Sequence, residues 1–464
     1  MELDYSIYDT DAWQVLEGFR CDELAKSLDR QGTIFYMEYD RNKDYAILGS
    51  NLKVQIIGGR EERRTFIEKI KIEEISAKRI FKFYERAKEA VEGIKYHRCK
   101  VLGLYERGDF ERFFELRRLS INEELVKRII GKLVIGENVR IKCSDASKSI
   151  SLISEIIERL RENLHLFKFA ASELPKEADV IISRHERFEG DVDFDKKEIK
   201  INRVFEKIYK IYEEMGKRKY MSKEEMSYDI LREAVKRFPE EICALENKIG
   251  KIMILCDDIQ TLERLIRCVR NKGIRIRGEV AYTLMDKWAE RVYGKNGEIE
   301  SFLIDLYMEQ GEKGRRGLTK LLVKRGVFWR EVVKDAISAI YDRDENMLRE
   351  FAGKSFKSKE FEGYVGEALE DLKFRGGNLR EFLRFILNNE GWITGRCGEV
   401  LVKAIYDMLE EGERRKLGRK YEQELRNFGI EPEVRYEEIN LRRVIAFLFA
   451  MMIIGFTIGV LIVL

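Results

Sequence analysis

Three aspartates stand where a carboxylate could take part in ligand binding. Asp257 and Asp258 follow the apolar run KIMILC, and Asp145 follows the run NVRIKC. We interpret both runs as strands followed by amphipathic helices, and ligands of open α/β sheets bind beyond the carboxyl ends of strands. A carboxylate there can hold a metal ion or a phosphate-bound cation. The competing interpretation, which the sequence favours, is that each aspartate caps the helix that follows it.

A cluster of basic residues follows the second aspartate pair, and it could bind phosphate groups. Six cations occur within fourteen residues, and Glu263 is the single acid near its start: Arg264, Arg267, Arg270, Lys272, Arg275 and Arg277. Such a cluster suits a nucleotide, nucleic acid or anionic lipid. The alternative is a solvated helix face whose cations pair with acids elsewhere in the fold. A second basic stretch over residues 313–325 contains three glycines but matches neither phosphate-binding fingerprint.

Other motifs of catalysis and metal binding are incomplete. The run GDVDFDKK begins like a calcium loop, but Lys196 replaces the required glycine and Asn202 the required glutamate. The seven cysteines are scattered without zinc-ligand spacing, and no nucleophile motif is present. The sequence therefore predicts no metal site, leaves the cofactor unknown and leans away from an enzyme.

The elements that must position these residues fall into three regions. Residues 1–135 combine helical and strand patterns, with a helix expected from Asp11 to Asp29 and another from Ala77 to Glu92. Residues 136–280 alternate strand, helix and strand, which indicates βαβ units. Residues 281–430 show only one-faced helical stripes, typical of a bundle or an α-solenoid. The predicted fold class is thus an α+β and α/β N-terminal part followed by an all-α region.

The last 21 residues, 444–464, carry no charged side chain and are long enough for one transmembrane helix. Arg442 and Arg443 precede this segment, after a connection over residues 431–443, and positive flanking charge is typical of the cytoplasmic side. We therefore expect a single-pass C-terminal anchor in the lipid bilayer with the body in the cytoplasm. Gly455 and Gly459 form a GxxxG spacing that permits homodimerisation of such a helix.

Composition sets limits on the function. The net charge is +3 because 87 basic residues face 84 acidic ones, and this balance argues against a general nucleic-acid binder. The abundance of charged residues is typical of heat-adapted proteins. The sequence favours a tail-anchored interaction or scaffold module at the membrane with a protein partner. The alternatives are a membrane-attached enzyme or a nucleotide- or metal-binding protein with its site in the α/β region, and contact with anionic lipid or nucleic acid through the basic helix.

Overall fold

The computed structural model describes most of the chain and divides it into two compact units. The first unit comprises Met1–Lys272 and the second Gly273–Leu464. The described residues are 4–9, 14–40, 45–94, 98–104, 121–173, 177–185, 187–215, 218–356, 358–432, 445 and 449–452.

All strands of the described residues lie in the first unit and form one 11-stranded sheet. They are β1 Tyr5–Tyr8, β2 Val15–Gly18, β3 Thr33–Asp40, β4 Tyr45–Ile56, β5 Glu61–Lys71, β6 Cys99–Leu104, β7 Val139–Lys142, β8 Phe169–Ser172, β9 Val180–Ser183, β10 Val192–Asp193 and β11 Glu198–Ile199. Their order is β11-β10-β7-β9-β8-β3-β4-β5-β1-β2, and β6 pairs with β4. Strands β10, β7, β9 and β8 are parallel, whereas β3 pairs antiparallel with both β8 and β4. The strands of residues 1–104 and 139–199 therefore share one sheet.

Eight helices are described in the first unit. They are α1 Asp22–Arg30, α2 Ala77–Glu92, α3 Glu123–Val134, α4 Ala146–Leu160, α5 Val204–Met215, α6 Lys223–Arg237, α7 Ile249–Leu255 and α8 Ile259–Lys272. Helix α2 shows why such a segment folds as it does. Ser76 accepts a hydrogen bond from the Arg79 backbone N–H at 3.2 Å and caps the helix. Apolar residues spaced by three or four then form one buried face, and the Tyr84 hydroxyl donates to the Ile34 carbonyl at 2.6 Å.

A close approach of two helices fixes the position of α5. Gly131 is buried in α3, and a Cβ atom placed on it would lie 2.0 Å from the Phe205 carbonyl oxygen. No side chain fits in that space, so the backbones of α3 and α5 pack directly against one another. Val204, Phe205 and Ile208 bury the inner face of α5. The opposite face of its first turn, with Arg203 just before it and Lys207 within it, is exposed.

Some sequence predictions in the first unit are confirmed and others are wrong. The predicted helix from Ala77 to Glu92 matches α2, and the expected helix after Asp258 is α8. The run KIMILC is helix α7 rather than a strand, and no strand follows α8 at GIRIR, where the chain has no regular structure. A short apolar run fits a buried helix as well as a strand. The first helix, predicted from Asp11 to Asp29, begins later than expected: strand β2 occupies Val15–Gly18, and α1 covers Asp22–Arg30.

The second unit is entirely helical in its described part, which confirms the predicted all-α region. Its helices are α9 Glu279–Val292, α10 Gly297–Met308, α11 Glu312–Arg325, α12 Arg330–Tyr341, α13 Glu345–Ala352, α14 Lys359–Phe374, α15 Leu379–Leu387, α16 Arg396–Met408, α17 Glu411–Lys420 and α18 Glu422–Asn427. Helix α11 packs on α9, α12 and α13, and α14 packs on α12 and α16.

The second basic stretch, residues 313–325, lies on α11 and makes ion pairs with neighbouring helices. Arg316 and Lys320 contact Asp344 at 3.1 and 3.3 Å, and Arg325 contacts Asp286 at 2.6 Å. Asp344 also caps α13 through the Met347 backbone N–H at 3.1 Å. These cations therefore hold α11 to the helices around it.

The prediction of a C-terminal membrane anchor over residues 444–464 is wrong. Across the part of the chain that the structure describes, no helix has both the length and the apolar composition needed to cross a bilayer. Hydropathy counts apolar residues, whereas a span also needs about 20 of them in one continuous helix. The tail-anchored scaffold function, the membrane location and the cytoplasmic placement of the body rested on this anchor and are corrected with it. Arg442, Arg443, Gly455 and Gly459 lie outside the described residues.

Candidate functional site

The predicted ligand-binding aspartates all have partners within the protein. The Asp145 carboxylate caps α4 by accepting from the backbone N–H groups of Ser147 and Lys148 at 2.9 and 3.2 Å. Asp258 accepts from the Thr261 N–H at 2.8 Å, at the start of α8. Asp257 contacts Arg232 at 2.9 Å. Among the described residues, no group of three or more His, Cys, Asp or Glu side chains could hold a metal ion.

The two capping aspartates belong to the same kind of local turn. The Cys143 thiol donates to the Asp145 carbonyl at 3.3 Å, and the Cys256 thiol donates to the Asp258 carbonyl at 3.2 Å. Both cysteines are buried. One turn follows a strand and the other follows a helix. The shared Cys-x-Asp pattern thus forms a buried anchor and a helix cap.

The predicted basic cluster is divided by the structure. Arg264, Arg267 and Arg270 are exposed on α8, while Arg275 and Arg277 belong to the second unit. Lys272, at the end of α8, donates to the Cys243 carbonyl at 3.1 Å and to Glu246 at 2.8 Å. The hydrogen bond with Glu246 raises the pKa of Lys272. Lys272 is the member of the cluster that lines a pocket.

This pocket, which we call the basic pocket, has a volume of about 580 Å³ and lies within the first unit. Three segments form it: the N-terminal turn of α5, the 3-10 turn Glu241–Ala244, and the last turn of α8. Its lining consists of Asn202, Arg203, Val204, Lys207, Glu240, Glu241, Cys243, Ala244, Cys268, Asn271 and Lys272. Volumes of roughly 300–1,000 Å³ are usual for small-molecule sites.

Local chemistry explains why these segments meet. The Asn202 side chain accepts from the Val204 N–H at 2.9 Å and starts α5. Ile242 is fully buried and anchors the 3-10 turn. Helix α8 buries Leu262, Leu265, Ile266 and Val269, and it thereby turns the Cys268 side of its last turn towards the 3-10 turn. The Lys272 bond to the Cys243 carbonyl then ties the two segments together.

Three cations (Arg203, Lys207, Lys272) and two acids (Glu240, Glu241) line the basic pocket, and Glu246, which lies beside it, pairs with Lys272. Lys207 contacts Glu241 at 2.5 Å, and both side chains are about half exposed. Their hydrogen bond lowers the pKa of Glu241. Exposed ion pairs contribute only about 0–1 kcal/mol, so an incoming anion can replace Glu241 at little cost.

Two thiols lie at the wall of the basic pocket. Cys243 lies on the 3-10 turn and Cys268 on the last turn of α8. Burial, with a further effect from Cys268, raises the pKa of Cys243 to about 12. Cys243 is 4% exposed, whereas Cys268 is partly exposed. The Cys243 thiol is therefore protonated at neutral pH.

A second pocket, of about 330 Å³, is lined by charges that already satisfy one another. It lies beside the amino ends of β8 and β9, where Lys168 contacts Glu38 at 3.0 Å and Lys223 contacts Asp179 at 2.5 Å. Asp179 also accepts from the Lys168 backbone N–H at 2.8 Å. A ligand would have to break these partly buried pairs, so this pocket suits an anion less well than the basic pocket.

Sequence reasoning identified Lys272 but missed the rest of the basic pocket. Arg203 and Lys207 precede the predicted cluster by about 60 residues, and no spacing rule connects them with Cys243 and Cys268. The one available signal was Asn202 as a helix cap, with Arg203 directly after it and Lys207 in the first turn of the helix. Comparison of the chain with protein-family models, curated proteins and solved structures finds no match.

Proposed function

We propose that the protein binds a small organic anion in the basic pocket, with Arg203, Lys207 and Lys272 as the groups that hold its acidic group. The observation that supports this proposal is the convergence of three cations, from the start of α5 and the end of α8, on one pocket of about 580 Å³. Cationic side chains form charge-assisted hydrogen bonds with phosphate and carboxylate oxygens, which are stronger than neutral ones.

The fold adds a favourable field at the same place. The basic pocket lies at the N-terminus of α5, where the helix dipole favours negative charge. The first N–H groups of this helix are already bonded, with Val204 donating to Asn202 Oδ1 and Phe205 donating to the Asn202 carbonyl at 3.3 Å. The dipole therefore contributes a field, and the side chains supply the hydrogen bonds.

The remainder of the lining favours an anion with a less polar portion. Val204, Ala244 and the two thiols offer apolar surface, and the methylene groups of the lysines extend it. Asn202 and Asn271 can bond to hydroxyl or amide groups. We infer a phosphorylated or carboxylated small molecule such as a nucleoside monophosphate as the class of ligand.

Thermal unfolding of the full chain with adenosine monophosphate (AMP) or adenosine tests this proposal, because a ligand that binds the folded state raises Tm. AMP should raise Tm and adenosine should not. The Arg203→Gln/Lys207→Gln double variant should lose the effect of AMP. Its matched control, Lys210→Gln/Arg264→Gln, removes the same charge from exposed positions on α5 and α8 and should keep the effect. No rise with AMP, or a rise that both double variants share, contradicts the proposal.

A further inference from the structure

The basic pocket is lined by two cysteines that come from neighbouring segments. Cys243 comes from the 3-10 turn Glu241–Ala244 and Cys268 from the last turn of α8, and these two segments pack against each other. Both line the basic pocket, so reagents from solvent reach this place. The other buried thiols described above, Cys143 and Cys256, donate to backbone carbonyls of their own turns.

The backbone around the pair is held in place on both sides. The Lys272 ammonium bonds to the Cys243 carbonyl at 3.1 Å, four residues beyond Cys268 on the same helix. The Cys243 thiol also donates to the Pro239 carbonyl at 3.5 Å. A disulfide needs its two backbones close together with the sulfurs facing one another. Cys243 and Cys268 line one pocket and stand on packed segments that the Lys272 bond joins, which brings their backbones close together.

We propose that Cys243 and Cys268 form a reversible disulfide when the protein meets a peroxide. This inference does not depend on the anion. Cys268 is the more exposed of the two thiols and reacts first. Its sulfur attacks one peroxide oxygen, the O–O bond breaks, and the leaving hydroxide takes the thiol proton to become water. Cys268 is now a sulfenic acid.

The second step closes the disulfide. The Cys243 sulfur attacks the Cys268 sulfur, an S–S bond forms, and the S–O bond breaks. The hydroxide that leaves takes the Cys243 proton, so a second molecule of water is released. Two thiols are oxidised and one peroxide is reduced. A dithiol reductant reverses the bond by thiol–disulfide exchange. Burial raises the pKa of Cys243 and keeps it as a thiol until its neighbour has been oxidised.

Peptide mapping tests the proposal on the full chain. The protein is treated with hydrogen peroxide, its remaining thiols are blocked with N-ethylmaleimide, and the digest is analysed by mass spectrometry without reduction. The expected product is a single cross-linked peptide pair containing Cys243 and Cys268, which dithiothreitol separates. The Cys256→Ser variant serves as the matched control and should still form the pair.

Two results would overturn the proposal. One is oxidation of Cys268 to sulfinic acid while Cys243 stays free and is alkylated, because a thiol of the same pocket should intercept the sulfenic acid. The other is cross-linking of the same pair to an equal extent in guanidinium-unfolded protein, because the native packing of the two segments is then not the cause. The Cys268→Ser variant, checked for folding by circular dichroism, should leave Cys243 free to react with N-ethylmaleimide after unfolding.

Discussion

Replacing Gly131 by alanine is expected to push apart the two helices that position the basic pocket. The added Cβ atom would lie 2.0 Å from the Phe205 carbonyl oxygen and 2.8 Å from its carbonyl carbon. Both are backbone atoms, so no side-chain rotation relieves the clash. Real Cβ atoms essentially never approach another atom to less than 3.0 Å, and α5 must therefore move by at least about 1 Å relative to α3.

Two opposing effects determine how much Gly131→Ala changes the free energy of unfolding. Overpacking a tight interior costs about 1–3 kcal/mol, and a backbone clash belongs at the upper end of that range. Alanine in a helix interior stabilises the helix by up to about 1 kcal/mol relative to glycine. The net loss is about 2 kcal/mol, which for a unit of this size lowers Tm by about 4–8 °C. Because Arg203 and Lys207 move with α5, the rise in Tm with AMP should also shrink.

Denaturant unfolding of Gly131→Ala measures the loss, with Gly363→Ala as the control. Gly363 lies within α14, and a Cβ added there meets nothing within 4 Å. The same substitution should therefore stabilise the protein by up to about 1 kcal/mol at Gly363. If Gly131→Ala is as stable as the parent or more stable, the direct packing of α3 on α5 is refuted.

Two further predictions concern ion pairs in each unit. Asp4 contacts Arg86 at 2.5 Å, and this hydrogen bond lowers the pKa of the Asp4 carboxyl below its ordinary value of 3.8. The stability that Asp4 contributes is thus present above about pH 4 and is lost as the pH falls. The difference in Tm between the parent and Asp4→Asn should therefore vanish in acid. A difference in Tm that stays constant as the pH falls would contradict this prediction. Asp344→Ala removes a helix cap and the contacts with Arg316 and Lys320. In a urea titration it should lower the free energy of unfolding by about 2 kcal/mol. A loss below about 0.5 kcal/mol would show that these contacts do not stabilise the protein.

The sequence predicted long amphipathic helices well and short apolar runs poorly. Helix α2 has a serine cap and a buried face that recurs through four turns, and both signals are local. Helix α7 has seven residues, of which Ile249, Ile252, Met253 and Leu255 are buried. At that length, strand and helix patterns cannot be told apart, and packing decides between them. The prediction of a second βαβ unit was wrong for this reason, because its first expected strand, KIMILC, lies in helix α7.

The basic pocket illustrates a different limit. Its residues come from three segments that are distant in sequence, and their meeting depends on the packing of α3 on α5 and on the bond between Lys272 and the Cys243 carbonyl. Neither contact leaves a pattern in the chain. The aspartates that did form a pattern in the sequence, Asp145 and Asp258, cap the helices that follow them.

Isothermal titration calorimetry with AMP tests the central claim most directly. Charge-assisted hydrogen bonds contribute about 1.5–3 kcal/mol each, so removing two of them should cost about 3 kcal/mol. We predict that AMP binds the parent protein at one site and binds Arg203→Gln/Lys207→Gln about 100-fold more weakly, while Lys210→Gln/Arg264→Gln binds AMP like the parent. Equal Kd values for the parent and for Arg203→Gln/Lys207→Gln, or no heat of binding at all, would contradict it.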